Sequence, residues 1–285
     1  MTKIKIAIQK SGRLSEDSLK LLKECGIEIS HGSGKLRTEA ANFPIEAYFL
    51  RDDDIPKYVE DGIADIGIVG ENVLLEQKAK VTSIQGLHFG KCRLSLAVSK
   101  TMNYTTLQDL QGKKIATSYP TILQEYLQAN GITAYIHEIS GSVEIAPSIG
   151  LADAICDLVS SGSTLFSNGL KEVETVITTE AKLIAHTGLQ TDAQKILTKL
   201  VFRINAVLKS RKNKYILLNA PNEKLAEICS ILPGMKSPTI LPLALAGWSS
   251  VHSVLQEDDF WDSIENLQAA GAEGILVIPI EKMIV

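Results

Sequence analysis

The residues that invite a chemical reading lie in "ICDLVSSGSTLFSNG", residues 155–169. An apolar, strand-like run from Ile155 to Val159 carries one carboxylate, Asp157, and gives way to Ser160, Ser161, Gly162, Ser163 and Thr164. A strand followed by a small-residue loop and a helix start forms an anion site, because successive backbone N–H groups make a concavity and the helix start adds partial positive charge. Gly162 permits the tight backbone, and the hydroxyls of Ser160, Ser161, Ser163 and Thr164 can donate to phosphate oxygens. No lysine follows the glycine, so this is not a Walker A loop. A carboxylate ahead of the [ST]-G-x-T core would repel a bare phosphate. It suits a phosphate that carries a sugar, whose vicinal hydroxyls can donate to Asp157. A phosphate beside a diol describes a ribose 5-phosphate. The same residues also read as an ordinary Ser/Gly turn with Asp157 as a cap or surface acid.

The elements around this stretch alternate strand and helix. "KIKIAIQ" alternates as a strand does. "SEDSLKLLKECG" follows as a helix with Ser15 as N-cap and Gly26 as its stop. "IEAYFLR" predicts another strand, "DDIPKYVEDG" a short helix opened by Asp53 or Asp54, and "ADIGIVGENVL" a buried strand running into a helix near Glu71 and Asn72. A second unit begins with "RLSLAVS". It continues through a helix in "TTLQDLQ", a strand at Lys114 to Thr117, a helix entered through Ser118 and Pro120, the strand "AYIHEIS" and a helix in "SVEIAPSIGLA". Such alternation implies βαβ units and a largely parallel sheet. Two α/β lobes suggest a cleft, with ligands beyond the carboxyl ends of the strands.

After "KSRKNK", residues 209–214, which read as a solvated linker, the pattern changes to "YILLNA", "NEKLAEICSIL", "SPTILPLA", "WSSVHSVL", "DDFWDSIENLQAAG" and "EGILVIPI". That βαββαβ order is ferredoxin-like and carries no cluster suited to catalysis.

Composition narrows the function class. The chain has 285 residues, 45% hydrophobic and 22% charged, with a net charge of −4. A nucleic-acid binder usually shows a basic face, and none is indicated here. No stretch approaches the roughly 20 apolar residues of a membrane span, and "MTKIKIAIQKSG" is too short in apolar run for a signal peptide. The expected location is cytoplasmic. Cys25, Cys92, Cys156 and Cys229 show no C-x-x-C spacing, so buried reduced thiols are expected rather than a zinc site or disulfides. The five histidines show no H-E-x-x-H pattern.

Glu144, Gly150, Ala152, Ile155, Asp157, Leu158, Ser161, Gly162, Thr164 and Leu165 compose E-x5-G-x-A-x2-I-x-D-L-x2-S-G-x-T-L. This pattern resembles the signature of the ATP phosphoribosyltransferase family. "IQKSGRLSEDS", "LRDDDIP", "DIGIVGENVL", "FGKCRLSLA", "GKKIATSYP" and "SPTILPLA" look like that family's segments in order, and the C-terminal part resembles its long form. The resemblance implies two lobes like a type II periplasmic binding protein plus a ferredoxin-like regulatory domain. Lobe I is expected over 1–92 and 182–210, lobe II over 93–181, and the regulatory domain over 213–285.

The resemblance further implies phosphoribosyl pyrophosphate (PRPP) and ATP as substrates and phosphoribosyl-ATP as product, in the first step of histidine biosynthesis. It places Glu144 and Asp157 on the ribose side and the loop through Thr164 on the 5-phosphate. Mg²⁺ fits, held mainly by PRPP with no dedicated protein site. Lys10, Gly12 and Arg13 follow the first strand, and Arg51, Asp53, Glu71, Asn72, Arg93 and Tyr119 stand at other strand ends or helix starts. Their cations suit triphosphate or pyrophosphate. The resemblance also implies a homo-oligomer, exchanging between dimer and hexamer. Histidine is the expected inhibitor, with Ser237 and Thr239 offering hydroxyls to it. Two other classes share parts of this pattern. One is a solute-binding or ligand-sensing module. The other is a type I phosphoribosyltransferase, which typically presents two adjacent acids where this chain has Cys156 and Asp157.

Overall fold

The computed structural model describes residues 2–30, 35–232 and 234–284. Among the described residues, fifteen strands form three sheets. The chain divides into two compact units, one of Met1–Lys23 and Ile27–Leu197, the other of Glu24–Gly26 and Thr198–Val285.

In the larger unit, β1 (Ile4–Gln9), α1 (Arg13–Glu24), β2 (Arg37–Glu39), β3 (Ile45–Leu50), α2 (Ile55–Glu60), β4 (Ile66–Gly70), α3 (Glu71–Gln77) and β5 (Thr82–Gly86) build the first lobe. The chain then crosses to β6 (Cys92–Ser99), β7 (Lys114–Thr117), α4 (Pro120–Ala129), β8 (Tyr135–Glu138), β9 (Ala154–Val159), α5 (Ser163–Ser167) and β10 (Leu170–Thr179). It returns as β11 (Ala181–Ala185). The first sheet has the order β2-β3-β1-β4-β11-β5 and the second β10-β6-β9-β7-β8. β5 to β6 and β10 to β11 are thus two crossings between the sheets.

Both sheets are mixed rather than largely parallel. β3, β1 and β4 run parallel, as do β8, β7 and β9, while β11, β6 and β10 close them antiparallel. β2, β5, β10 and β11 are strands that the sequence pattern does not announce; β10 and β11 follow one another without a helix to mark them.

Period-2 burial explains how the second sheet is filled. Leu94, Leu96, Val98, Ala154 and Cys156 enter one core, and Ala97, Ile155 and Val159 the core on the opposite face. By that alternation Asp157 belongs to the face of Ile155 and Val159. The same face collects Val143, Ala146 and Leu165, which bracket Glu144 and the hydroxyl loop.

Several local expectations need correcting. Ser15 does not cap α1: the helix begins at Arg13, the Glu16 N–H donates to the Gly12 carbonyl at 3.1 Å, and Ser15 is buried inside the first turn. "TTLQDLQ" and "SVEIAPSIGLA" make only short 3₁₀ turns, Leu107–Leu110 and Val143–Ile145. The basic run is no linker. α6 (Thr191–Arg211) extends into it, and β12 (Asn213–Pro221) begins two residues later. Half of the cysteine expectation holds, for Cys25 and Cys156 are buried while Cys92 and Cys229 are half-buried.

In the smaller unit β12, α7 (Leu225–Ile231), β13 (Thr239–Pro242), β14 (Trp248–Gln256), α8 (Phe260–Ala269) and β15 (Glu273–Pro279) follow the βαββαβ order. The sheet order is β13-β14-β12-β15, antiparallel throughout, the ferredoxin-like arrangement. Ile216, Leu218, Val251, Ile228 and Leu267 fill the space between sheet and helices. The boundary between the two units falls inside α6, at Thr198.

Candidate active site

The hydroxyl loop runs from the end of β9 to α5. Gly162 adopts φ +78°, the left-handed region that a Cβ would strain, and its carbonyl accepts the Phe166 N–H at 3.0 Å. Ser160, Ser161, Ser163 and Thr164 are exposed. Ser161 and Ser163 share a hydroxyl–hydroxyl bond of 3.0 Å, which pre-shapes the loop. α5 has only five residues, so the loop's N–H groups and hydroxyls matter more here than any helix dipole.

Asp157 is half-buried three residues before the loop's first hydroxyl. Its Oδ1 accepts the Leu158 N–H at 2.8 Å, and Oδ2 has no described protein partner. Burial raises its carboxyl above the ordinary aspartate range, the Leu158 N–H works against this, and the nearby charge of Glu144 adds to it. Glu144 lies between Val143 and Ala146, whose side chains share the core of Ile155 and Val159.

Arg93 sits opposite Val159 in the β6–β9 register. Its guanidinium grips Glu172 of β10 through Nε and Nη2, the latter at 2.6 Å, and Nη1 donates to the Ser160 carbonyl at 3.1 Å. That bond draws Glu172 below the usual carboxylate range. Arg93 is engaged in holding the start of the loop instead of standing free. Glu172 is a site neighbour that sequence reasoning missed. Its only signal is an acid on a strand that the sequence pattern did not announce.

The first lobe contributes cations. Lys10, Arg13 and Arg51 are exposed at the carboxyl ends of β1 and β3, and Lys10 and Arg13 make no ion pair with another described residue. Gly12, at φ +92°, turns the chain from β1 into α1. Asp53 lies in a 3₁₀ turn, Asp52–Asp54, after β3, where its carbonyl accepts the Gln77 amide at 2.6 Å. Glu71 opens α3. Its N–H donates to the Glu180 carbonyl at 3.0 Å, and its carboxylate meets Lys182 at 3.3 Å.

Asn72 is buried, and its Nδ2 donates to the Tyr119 hydroxyl at 3.1 Å. A Cβ at position 70 would collide with the Asn72 amide oxygen, which explains the glycine. Burial raises the Tyr119 hydroxyl, the Asn72 bond opposes it, and the charges of Asp157, Asp52 and Asp53 add to the rise. A cavity of about 460 Å³ lies among Glu71, Arg93, Ser160, Glu180 and Lys182. It joins the end of β4, the two crossings and the hydroxyl loop.

Ser237 and Thr239 lie in the smaller unit. Both are exposed, and Thr239 pairs with His252 across β13 and β14. His252 itself bridges the Tyr215 hydroxyl at 2.7 Å and the Ser250 hydroxyl at 3.0 Å, a network that sequence reasoning did not single out. No group of three or more His, Cys, Asp or Glu side chains that could hold a metal occurs among the described residues. No described helix is long and apolar enough to cross a membrane.

Comparison with known proteins places the chain in a family. Residues 51–206 match the family described as ATP phosphoribosyltransferase, and residues 210–282 match the HisG C-terminal domain. The ATP phosphoribosyltransferase of Cytophaga hutchinsonii is 60% identical over 283 residues, covering 99% of each chain. That of Phocaeicola vulgatus is 56% identical over 281 residues, again 99% of each. Among solved structures, the ATP phosphoribosyl transferase (HisG:HisZ) complex from Thermotoga maritima superposes with a TM-score of 0.60 at 30% identity, over 71% of this chain and 98% of that one. With end-to-end relatives at this identity and both parts matched, the chain belongs to the ATP phosphoribosyltransferase family.

Proposed function

We propose that the family reaction, transfer of the phosphoribosyl group of PRPP to N1 of the adenine of ATP, runs in the cleft of the larger unit with a division of roles between its lobes. The observation that carries this reading is the exposed hydroxyl loop directly after Asp157 at the end of β9, with Val143 and Ala146, which flank Glu144, in the core beneath that face. The Oδ2 of Asp157 takes the ribose hydroxyls, Glu144 lies beside them, and residues Ser160 to Thr164 cradle the 5-phosphate. Lys10, Gly12, Arg13 and Arg51 take the triphosphate or pyrophosphate oxygens. Asp53, Glu71, Asn72 and Tyr119 line the ATP side, and Arg93 acts through its hold on the loop.

Displacement at an anomeric carbon develops oxocarbenium-like charge, as in glycoside cleavage. No covalent nucleophile is required. The side chains bind the two substrates in line and meet the charge of the departing pyrophosphate. Mg²⁺ suits phosphate oxygens with one or two carboxylates and keeps several waters, so the reading needs no dedicated protein site for it. Held mainly by PRPP, Mg²⁺ would supply positive charge at the pyrophosphate.

The reading extends to the smaller unit and to assembly. Lobe I spans 1–92 and 182–210, lobe II 93–181, and a regulatory domain 213–285 binds histidine near Ser237 and Thr239. The enzyme is a cytoplasmic homo-oligomer of dimers and hexamers. The relative named as a HisG:HisZ complex supports assembly in this family.

Mixing the protein with ATP, PRPP and Mg²⁺ and following phosphoribosyl-ATP tests the chemistry. Millimolar histidine should slow that rate, and deleting residues 213–285 should abolish the slowing. A full-length preparation active on both substrates yet indifferent to histidine would refute the regulatory reading.

A further inference from the structure

Besides the two chain crossings, a third connection joins the lobes of the larger unit, and its pivot is Glu76. α4 begins with Tyr119 as N-cap and Pro120 at its first position, and its own segment supplies no side-chain cap. A helix start leaves its first N–H groups without intrahelical partners. Here each is accounted for. Tyr119 donates its N–H to Thr117 Oγ1 at 2.9 Å, Pro120 has none, and Leu123 opens the helical series on the Tyr119 carbonyl at 3.1 Å. The two that remain, Thr121 and Ile122, donate to the two carboxylate oxygens of Glu76, at 2.8 and 3.1 Å.

Glu76 belongs to α3 of the other lobe. A carboxylate near a helix N-terminus is favourable through both hydrogen bonds and the helix dipole. One turn earlier on α3, Asn72 holds the Tyr119 hydroxyl, and just beyond α3 Lys78 meets Glu125 of α4 at 2.6 Å. The exposed ion pair adds little by itself. Glu76 is the member that α4 cannot replace from its own residues.

We propose that Glu76 is a positioning residue for the phosphoribosyl transfer. By capping α4 from the opposite lobe, it holds Tyr119 and the end of β7 in register with the cationic strand ends of the first sheet, so that both substrates meet a pre-formed cleft. This rests on the placement of PRPP at Asp157 and the hydroxyl loop. Glu76 itself touches neither substrate. Losing the cap lowers the population of the competent lobe arrangement and raises each apparent dissociation constant by the same factor.

The test is steady-state kinetics and amide hydrogen exchange on Glu76→Ala and Glu76→Gln in the full chain. Glu76→Ala should raise KM for ATP and for PRPP together by about ten-fold, with kcat held within about two-fold, and should speed exchange at Thr121 and Ile122. Glu76→Gln is isosteric and keeps one acceptor oxygen, so it should shift both KM values the same way by about three-fold. It also carries the test if the alanine variant does not fold. Faster exchange with both KM values unchanged would make Glu76 a structural cap only, and unchanged exchange would remove the cap itself; either result overturns the proposal. Asp157→Asn, assayed alongside, separates the two readings: if it leaves PRPP use intact, the substrate placement fails whatever Glu76 does.

Discussion

At the carboxyl ends of β1 and β3 stand Lys10, Arg13 and Arg51, exposed, the first two without an ion pair to another described residue. Near the end of β9 stands Asp157, half-buried, with its carboxyl raised by that burial and by Glu144. The two sheets share a plan of parallel strands closed by antiparallel ones. On the proposed division of roles, one lobe attracts polyphosphate and the other grips a sugar. Exposed cations attract anions at little cost, since they stay hydrated until a ligand arrives. A carboxylate that accepts sugar hydroxyls gains from partial burial, where water competes less and each hydrogen bond is stronger. The same plan therefore carries exposed cations after two strands of one sheet and a half-buried acid on a strand of the other.

The sharpest way to break this comparison is to neutralise the acid. Asp157→Asn removes the charge that strengthens bonds from the ribose hydroxyls, and two charge-assisted bonds predict a fall of about a hundred-fold in kcat/KM for PRPP. The substitution is isosteric, so circular dichroism should be unchanged. Normal PRPP kinetics would take Asp157 out of the site.

Arg13→Ala probes the other lobe. Loss of one charged contact to polyphosphate predicts roughly a thirty-fold fall in kcat/KM for ATP. PRPP titrated alone should bind the variant almost normally. A large loss there would move Arg13 to the sugar phosphate and dissolve the division between lobes. Thr164→Val asks less. It keeps the side-chain shape and removes one hydroxyl donor to phosphate, so KM for PRPP should rise about ten-fold while KM for ATP stays put.

The comparison also explains what the sequence disclosed. The helix-flanked strands were legible because each announces itself by apolar alternation and a turn, as "KIKIAIQ" and "RLSLAVS" do. β10 and β11, separated by Glu180 alone, were not, and with them went Glu172 and the true engagement of Arg93. Asp157 and the loop could be singled out because they are contiguous along the chain, at the end of β9 and the start of α5. Glu76 and Asn72 act on residues 45 to 47 positions away, through a contact that no local pattern encodes. The failed Ser15 cap has the same origin: Gly12 turned the chain early, and its backbone did what a side chain was expected to do.

The smallest effect concerns stability and pH. Asp157 is held above its ordinary value of 3.8 chiefly by burial, so the folded protein binds this proton more tightly than the unfolded chain does. Stability then falls as pH rises between the ordinary aspartate value and the raised folded one, and the penalty is fully present above it. At neutral pH the ligand-free protein thus carries a cost that Asp157→Asn should remove. The variant's Tm should exceed the parent's at pH 7, and the difference should shrink as pH falls towards the ordinary aspartate range. PRPP binding should weaken in mild acid for the parent, because the neutral carboxyl is a poorer acceptor, and should be flatter with pH for the variant. A variant less stable than the parent at pH 7 would mean that Asp157 serves the fold, and that the contrast between exposed cations and a buried acid is structural in origin.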